Sequence, residues 1–278
     1  MPVTPINDVN LYIDDSGGSG RPVVLIHGWP LSAQSWEHQT PALVAAGHRV
    51  IAYDRRGFGR SSTGTSYDYD TLARDLAGLM ENFDLQDATL VGFSMGGGEV
   101  ARYVSRHGLQ RVRSVVFAAA ITPYMMQTDD NPDGPLTKSA AEKMTEQLKA
   151  DRAAFFDDFT TKFFSVSSML GLVKDLKVSE DTRQMAIALC LQSDETAALA
   201  CMEAFGTTDF RNDLSAVTCP TLVLHGDGDG IVPVDGSGAR THQTIQGSQL
   251  VLVPDAPHGL NVSHAAEFNA ALLDFLKD

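Results

Sequence analysis

The 278-residue chain carries 21 Lys and Arg against 35 Asp and Glu, a formal net charge of −14 with histidines neutral. Hydrophobic residues make up 43% and charged residues 20%, the balance of a globular chain with a sizeable core, which excludes disordered and fibrous classes. Without clustered cations neither nucleic acid nor an anionic membrane is an expected partner, and the acidity reads as a solubility device.

The first predicted element is a strand in which Val9, Leu11 and Ile13 alternate with polar residues, as on a half-exposed antiparallel edge. Pro22 to His27 is a continuous apolar run ending in a glycine turn, as expected of a strand buried on both faces, and Arg49 to Tyr53 is a second. Leu72, Leu76, Leu79, Met80 and Phe83 recur at three- and four-residue spacing, one apolar stripe of a helix. Ala88 to Phe93 reads as strand, Met95 to His107 as helix and Val112 to Ala118 as strand. Pro220 to His225 and Gln249 to Val253 supply two more strands. A last helix follows, with Ser263 as N-cap, Glu267 in its first turn and Phe268, Leu272, Phe275 and Leu276 on one face. Strand–helix alternation of this kind predicts an α/β chain, a mostly parallel twisted sheet with helices on both faces.

The alternation breaks between about Ile121 and Ser215. A Pro/Asp/Asn/Gly segment (Thr128 to Pro135) opens the gap, and Phe155, Phe156, Phe159, Phe163 and Phe164 then fall on helical spacing. Further helical stretches lie around Met185 to Leu191 and Leu199 to Phe205. The expected organisation is a core of residues 1–121 and 215–278 with a helical cap, 122–214, inserted between strands. The cysteines, Cys190, Cys201 and Cys219, are odd in number and form no C-x-x-C, so no disulfide framework is expected. MPVTPINDVN lacks the basic and apolar regions of a signal peptide, and the longest clean apolar run, Val115 to Ile121, is far short of the roughly 18 residues of a membrane helix. A soluble, cytoplasmic location is expected.

The sharpest local motif is Gly92-Phe93-Ser94-Met95-Gly96. G-x-S-x-G alone is weak, but here a buried strand runs into it and a helix follows, the context of a nucleophile elbow. Flanking glycines allow backbone approach where a Cβ would not fit, and the serine is held strained with its hydroxyl at the helix N-terminus. The plainer alternative is a serine N-cap on an ordinary βα turn. A serine hydroxyl needs a base held by a third group. His258 lies in Pro254-Asp255-Ala256-Pro257-His258-Gly259, between a predicted strand and the last helix, whereas His38, His48, His107, His242 and His264 read as surface-loop histidines. Two carboxylates in His225-Gly226-Asp227-Gly228-Asp229-Gly230 follow a strand and either can face the site, although Asp227 reads more readily as a turn former. The chain order serine, aspartate, histidine differs from both common serine-protease orders. Asp54-Arg55-Arg56-Gly57-Phe58-Gly59-Arg60-Ser61 lacks a full G-x-G-x-x-G and an immediate helix, so it reads as a structural loop tied by Asp54 and Arg56. Neither a phosphate loop nor H-E-x-x-H occurs, and the sequon Asn261-Val262-Ser263 reads as chance.

His27-Gly28-Trp29-Pro30, Asp54 to Gly59, Gly92-Phe93-Ser94-Met95-Gly96-Gly97-Gly98-Glu99, His225 to Asp229 and Ala256-Pro257-His258-Gly259 together resemble the α/β-hydrolase superfamily over essentially the whole chain. Within it they resemble the cofactor-free haloperoxidases, or perhydrolases, with their arylesterase and γ-lactamase relatives. The resemblance implies the α/β-hydrolase fold and a triad of Ser94, Asp229 and His258. Asp229 is preferred over Asp227 because Ile231-Val232-Pro233 follows it at the family spacing. It further implies an oxyanion hole from the backbone amides of Trp29 and Met95. Gly98, a third successive glycine, departs from the pattern without an assigned consequence.

The function so implied is cleavage of small to medium apolar or aryl carboxylic esters through an acyl-enzyme, with perhydrolase and haloperoxidase side activity when peroxide replaces water. Neither metal nor organic cofactor is implied, and the expected partner is a small-molecule ester. A homo-oligomer is compatible with the sequence. Dehalogenases and epoxide hydrolases of this fold need a carboxylate where Ser94 stands. A lactonase or γ-lactamase/amidase would use the same residues, and a slow-turnover, receptor-like ligand binder would keep the triad; both readings stay open. A secreted lipase is disfavoured by the missing signal and the cysteine usage.

Overall fold

The computed structural model describes residues 3–167 and 174–277. Strands β1 (Val3–Ile6) and β2 (Val9–Asp15) pair antiparallel through a turn at Asn7, whose φ is 53°. β2 alternates buried and exposed residues, but β1 lies outside it as the edge. Four residues interrupted by a proline carry too little pattern to announce β1. After β3 (Pro22–Ile26) come α1 (Gln39–Ala45), β4 (Arg49–Tyr53), α2 (Tyr69–Asn82), β5 (Ala88–Phe93), α3 (Met95–His107) and β6 (Val112–Ala118). Asp68 starts α2 by accepting from the Thr71 amide at 2.8 Å.

The chain then leaves the sheet. It forms α4 (Lys138–Ala150), α5 (Arg152–Phe163), a small antiparallel pair β7 (Ser165–Ser167) and β8 (Lys174–Leu176), α6 (Glu180–Leu191), α7 (Glu195–Thr207) and the single turn α8 (Arg211–Leu214). Side chains of Asp151, Ser179 and Asp194 cap α5, α6 and α7. β9 (Thr221–Gly226), α9 (Gly238–Thr244), β10 (Gln249–Val253), the turn α10 (Leu260–Ser263) and α11 (Ala265–Phe275) complete the order.

The eight-stranded sheet runs β1-β2-β4-β3-β5-β6-β9-β10, parallel from β4 onward. β5 and β9 are buried at every position, as strands covered on both faces must be. α1 packs with α11, and α2 with α3. The fold is that of an α/β hydrolase, with the C-terminal ends of β3, β5, β9 and β10 feeding the loops described below.

Two local expectations differ from the structure. Ser263 does not cap the last helix: it ends α10, its hydroxyl turned back to the Gly259 carbonyl and to His264, which takes the N-cap position of α11 without a side-chain cap. His107 and His242 sit in α3 and α9 rather than in loops. The Asp54–Ser61 loop is structural, as expected, and both residues tie it: Asp54 to Arg60 and the Ala33 amide, Arg56 to Asp75 on α2 and to Asp8. Among the described residues no single helix is long and apolar enough to cross a membrane.

Gly98 acquires a reason. A Cβ there would stand 2.6 Å from Phe210 Cζ and 2.8 Å from Tyr69 Cε1, two buried rings that meet edge to face at 4.7 Å. The missing side chain lets α3 settle against Tyr69, whose hydroxyl donates to the Met95 carbonyl at 3.1 Å. Gly98→Val is therefore expected to overpack the site and lower stability by about 2 kcal/mol, read from the urea midpoint at unchanged m-value.

Candidate active site

Ser94 joins β5 to α3 with φ 54° and ψ −117°, a left-handed backbone that a residue with a Cβ adopts only when its surroundings enforce it. The enforcement is visible. The Ser94 amide donates to the Ala118 carbonyl at 2.8 Å, and its own carbonyl accepts from Gly97 at 3.0 Å and Ile121 at 3.3 Å. Glycines make the approach possible: a Cβ on Gly92 would lie 2.4 Å from the Gly96 carbonyl oxygen, and one on Gly96 2.5 Å from that of Ile26. Serine here is the hinge of a tight turn, and its side chain caps no amide of α3.

The Ser94 hydroxyl lies 2.9 Å from Nε2 of His258, 164 residues away in sequence. Nδ1 of the same ring lies 2.7 Å from Oδ2 of Asp229. Serine and histidine remain 6% and 1% exposed, so this polar line is nearly dry yet borders a cavity. The His258 ring is held between Phe93 and Phe163, at 5.3 and 5.1 Å between centroids. The amide of Gly259 donates to the Phe163 carbonyl at 2.8 Å, so the end of α5 fixes the loop that presents the imidazole.

Asp229 has its other oxygen, Oδ1, occupied by the amides of Ile231 at 2.9 Å and Val232 at 2.8 Å. Burial works against its charge, but the interaction with His258 and the hydrogen bonds from His225 and His258 outweigh it and hold the carboxyl well below the usual carboxylate range. Asp227 is elsewhere: exposed, it accepts from the Asp255 amide at 2.6 Å and closes a turn. The structure therefore brings Asp229, and not Asp227, to His258.

One member of this cluster has no role in the sequence reading. His225, fully buried at the end of β9, points Nε2 at the Val232 carbonyl (2.8 Å) and at Asp229 Oδ2 (3.2 Å). Two acceptors require that nitrogen to carry the proton. The only sequence trace is a spacing of four from Asp229 across a strand end, which no periodicity argument distinguishes from an ordinary strand histidine.

The turn after β3 closes the other side. A Cβ on Gly28 would lie 3.1 Å from the Ser94 Cβ, so the backbone leading into Trp29 passes directly beside the serine. Met95 is the first residue of α3, where amides face outward without intrahelical partners. The Trp29 ring is gripped from the intervening helices: Nε1 donates to Ala198 on α7 at 2.9 Å, and Phe155, Phe156, Phe159 and Phe205 surround it edge-on. The cavity, about 220 Å³, is lined mainly by apolar side chains, among them Trp29, Ile121, Met125 and Phe159, and Ser94 and His258 border it. Among the described residues no His, Cys, Asp or Glu side chains gather in threes as a metal would need.

Behind the turn runs a buried polar chain. His27 Nδ1 donates to Gly28, and its Nε2 accepts the Arg55 amide at 2.9 Å; burial first, then the Arg55 charge, keeps this imidazole well below its ordinary pKa and neutral. The Arg55 guanidinium donates to the His27 carbonyl at 2.8 Å and to Glu99 on α3 at 2.9 Å, and Tyr53 donates to the other Glu99 oxygen. Arg55 and Glu99 are each 1% exposed, so the pair ties the Trp29 turn to the helix that begins at Ser94. Removing one partner strands the other charge. Glu99→Ala is expected to cost about 3–5 kcal/mol of unfolding free energy, and Glu99→Gln less because an amide keeps two hydrogen-bonding atoms, as denaturant titration of both variants will read.

The model of the alpha/beta hydrolase fold family matches residues 21–265. A non-heme chloroperoxidase of Kitasatospora aureofaciens is 40% identical over 280 residues, 99% of each chain. A bifunctional esterase/perhydrolase of Acinetobacter calcoaceticus is 35% identical over 99% of each. The crystal structure of a bromoperoxidase from Bacillus anthracis superposes with a TM-score of 0.92 at 49% identity, covering 97% of this chain and 96% of that one. The chain belongs to the α/β-hydrolase fold family, as an enzyme of that superfamily grouped with the non-heme haloperoxidases.

Proposed function

We propose that the protein is a serine hydrolase of carboxylic esters, with Ser94 as nucleophile, His258 as general base and Asp229 as the group that orients it. The observation that carries this reading is the continuous hydrogen-bonded line from Ser94 Oγ through both nitrogens of His258 to Asp229, at 2.9 and 2.7 Å. His258 Nε2 takes the hydroxyl proton as Ser94 attacks the ester carbonyl. Asp229, held anionic, stabilises the imidazolium. The amides of Trp29 and Met95 receive the oxyanion, each such donor being worth roughly 3–4 kcal/mol in the transition state. His258 then returns the proton to the departing alcohol, and a water deprotonated by the same ring cleaves the acyl-enzyme to acid and free Ser94.

Hydrogen peroxide in place of that water leaves a peracid and free serine. The peracid oxidises bromide to hypobromous acid and becomes the carboxylate, with no redox centre on the protein. The esterase/perhydrolase and chloroperoxidase relatives support this side activity. Apolar lining around the serine supports small to medium apolar or aryl esters, and α5 and α7, which supply Phe155, Phe159 and Phe205, support a cap role for residues 122–214.

Ser94→Ala is expected to abolish labelling by a fluorophosphonate probe and to lower ester kcat by at least about 10⁴-fold. Retained labelling at another serine would overturn the nucleophile assignment. Asp229→Asn is expected to cost about 10⁴-fold in kcat and Asp227→Asn less than about tenfold, because asparagine at 227 still offers an oxygen to the Asp255 amide. The reverse ranking, from parallel kinetics on p-nitrophenyl acetate, would exchange the two acids.

A further inference from the structure

A second cavity, about 710 Å³, opens between α4 and α7 on the outer side of the active-site cavity. The two spaces have three lining residues in common: Leu136, Met144 and Phe205. These side chains are the partition between the serine and the cleft. All three are only half-buried, as a wall with space on both sides must be. They come from three separate elements: the loop before α4, α4 itself, and α7.

The partition is built of side chains that can move without breaking a polar contact. Leu136 is fixed through its backbone, which donates to Met125 at 2.9 Å and accepts from Gln127 at 2.8 Å, leaving the isobutyl group to the two cavities. It rests where a Cβ on Gly206 would lie 3.2 Å away, so α7 makes room for it by omitting a side chain. Met144 has three rotatable bonds and no branching, the apolar side chain most easily displaced. Beyond the partition the cleft is lined by half-buried Leu199 and Ala200 and buried Met202, and by charged side chains that stay exposed, Lys138, Glu142, Glu146, Lys149 and Glu203.

We propose that Leu136, Met144 and Phe205 form a displaceable partition, and that the cleft between α4 and α7 accepts the far end of an unbranched alkyl chain of the ester. This rests on the ester-hydrolase reading and adds a substrate class to it: esters with one long straight apolar arm. The occupant follows from continuity, since the described residues that line both spaces, Leu136, Met144 and Phe205, are all apolar, and from Leu199, Ala200 and Met202, which would bury methylenes inside the cleft. Charged or bulky cyclic arms do not fit a passage of this kind. The chain belongs to either the acyl or the alcohol half of the ester, and the same chemistry serves both.

The test compares kcat/KM for p-nitrophenyl octanoate against p-nitrophenyl acetate, and for octyl acetate against ethyl acetate, in the parent protein and two variants. Ala200→Phe fills the cleft behind the partition, and Met144→Ala removes part of the partition. The ratio of long to short substrate is expected to fall about tenfold in Ala200→Phe and to rise about tenfold in Met144→Ala, in the acyl series if the cleft takes the acyl chain and in the alcohol series if it takes the alcohol. A ratio is unaffected by the fraction of active protein, so partial misfolding of one variant does not mimic the effect, and the two variants change volume in opposite senses. Ratios that stay within twofold of the parent in both series overturn the partition while leaving the Ser94 reading intact. Absence of turnover of all four esters by the parent protein, with no fluorophosphonate label on Ser94, overturns both.

Discussion

The left-handed backbone at Ser94 is the constraint on which the site depends. A φ of 54° on a residue with a Cβ costs of order 1–3 kcal/mol, and it persists only because three separate strands of contact hold it. β6 takes the Ser94 amide, the start of α3 and Ile121 take its carbonyl, and the glycines at 92 and 96 let β5, β3 and α3 close to distances that any side chain would prevent. The result places a hydroxyl at the head of a helix with no backbone partner of its own class to capture it. It is then available to an imidazole from the opposite end of the chain.

That imidazole is held by both halves of the molecule. Its acid partner is a core feature: Asp229 hangs from the loop after β9 with one oxygen saturated by two amides and the other shared by His258 and His225. Every lone pair directed into the protein has a donor, so the carboxylate has one orientation and keeps its charge despite burial. The ring itself is seated by Phe163 and by a backbone bond from Gly259 to the same residue, and Trp29 is bonded to α7 and enclosed by α5. The helices between β6 and β9 thus hold the two positions that flank the serine.

The sheet was legible because its inner strands are buried on both faces and so read as unbroken apolar runs; β5 and β9 could hardly be anything else. β1 was not, since Val3-Thr4-Pro5-Ile6 is too short and too mixed to show a period. Ser263 misled because a serine before an apolar run is an N-cap in sequence, whereas here one extra turn, α10, intervenes and leaves the helix start to His264. At the site, glycines around Ser94, prolines around His258 and the family spacing after Asp229 pointed to three residues that the fold brings within hydrogen-bond reach of one another. The environment of each was not. His225 against Asp229, or Arg55 bridging His27 to Glu99, are contacts between residues whose sequence surroundings say only that they are near a strand end. Polar residues buried by the tertiary fold carry no local mark of their partners.

A division of labour follows from where polarity is placed. The hydrogen-bonded line from Ser94 to Asp229 is polar, nearly dry and fixed by backbone amides, while the cavity it opens into is walled mainly by leucine, methionine, isoleucine and aromatic side chains. Asp158 and Lys162, which also border that cavity, pair with each other along α5 and so present little net charge to what enters. In a cavity lined mainly by apolar side chains, discrimination between molecules that enter rests on volume and shape, where single methylenes decide factors of about ten to a few hundred. Such a pocket can be reshaped at Met144 on α4 or Phe205 on α7 without removing a hydrogen bond among Ser94, His258 and Asp229.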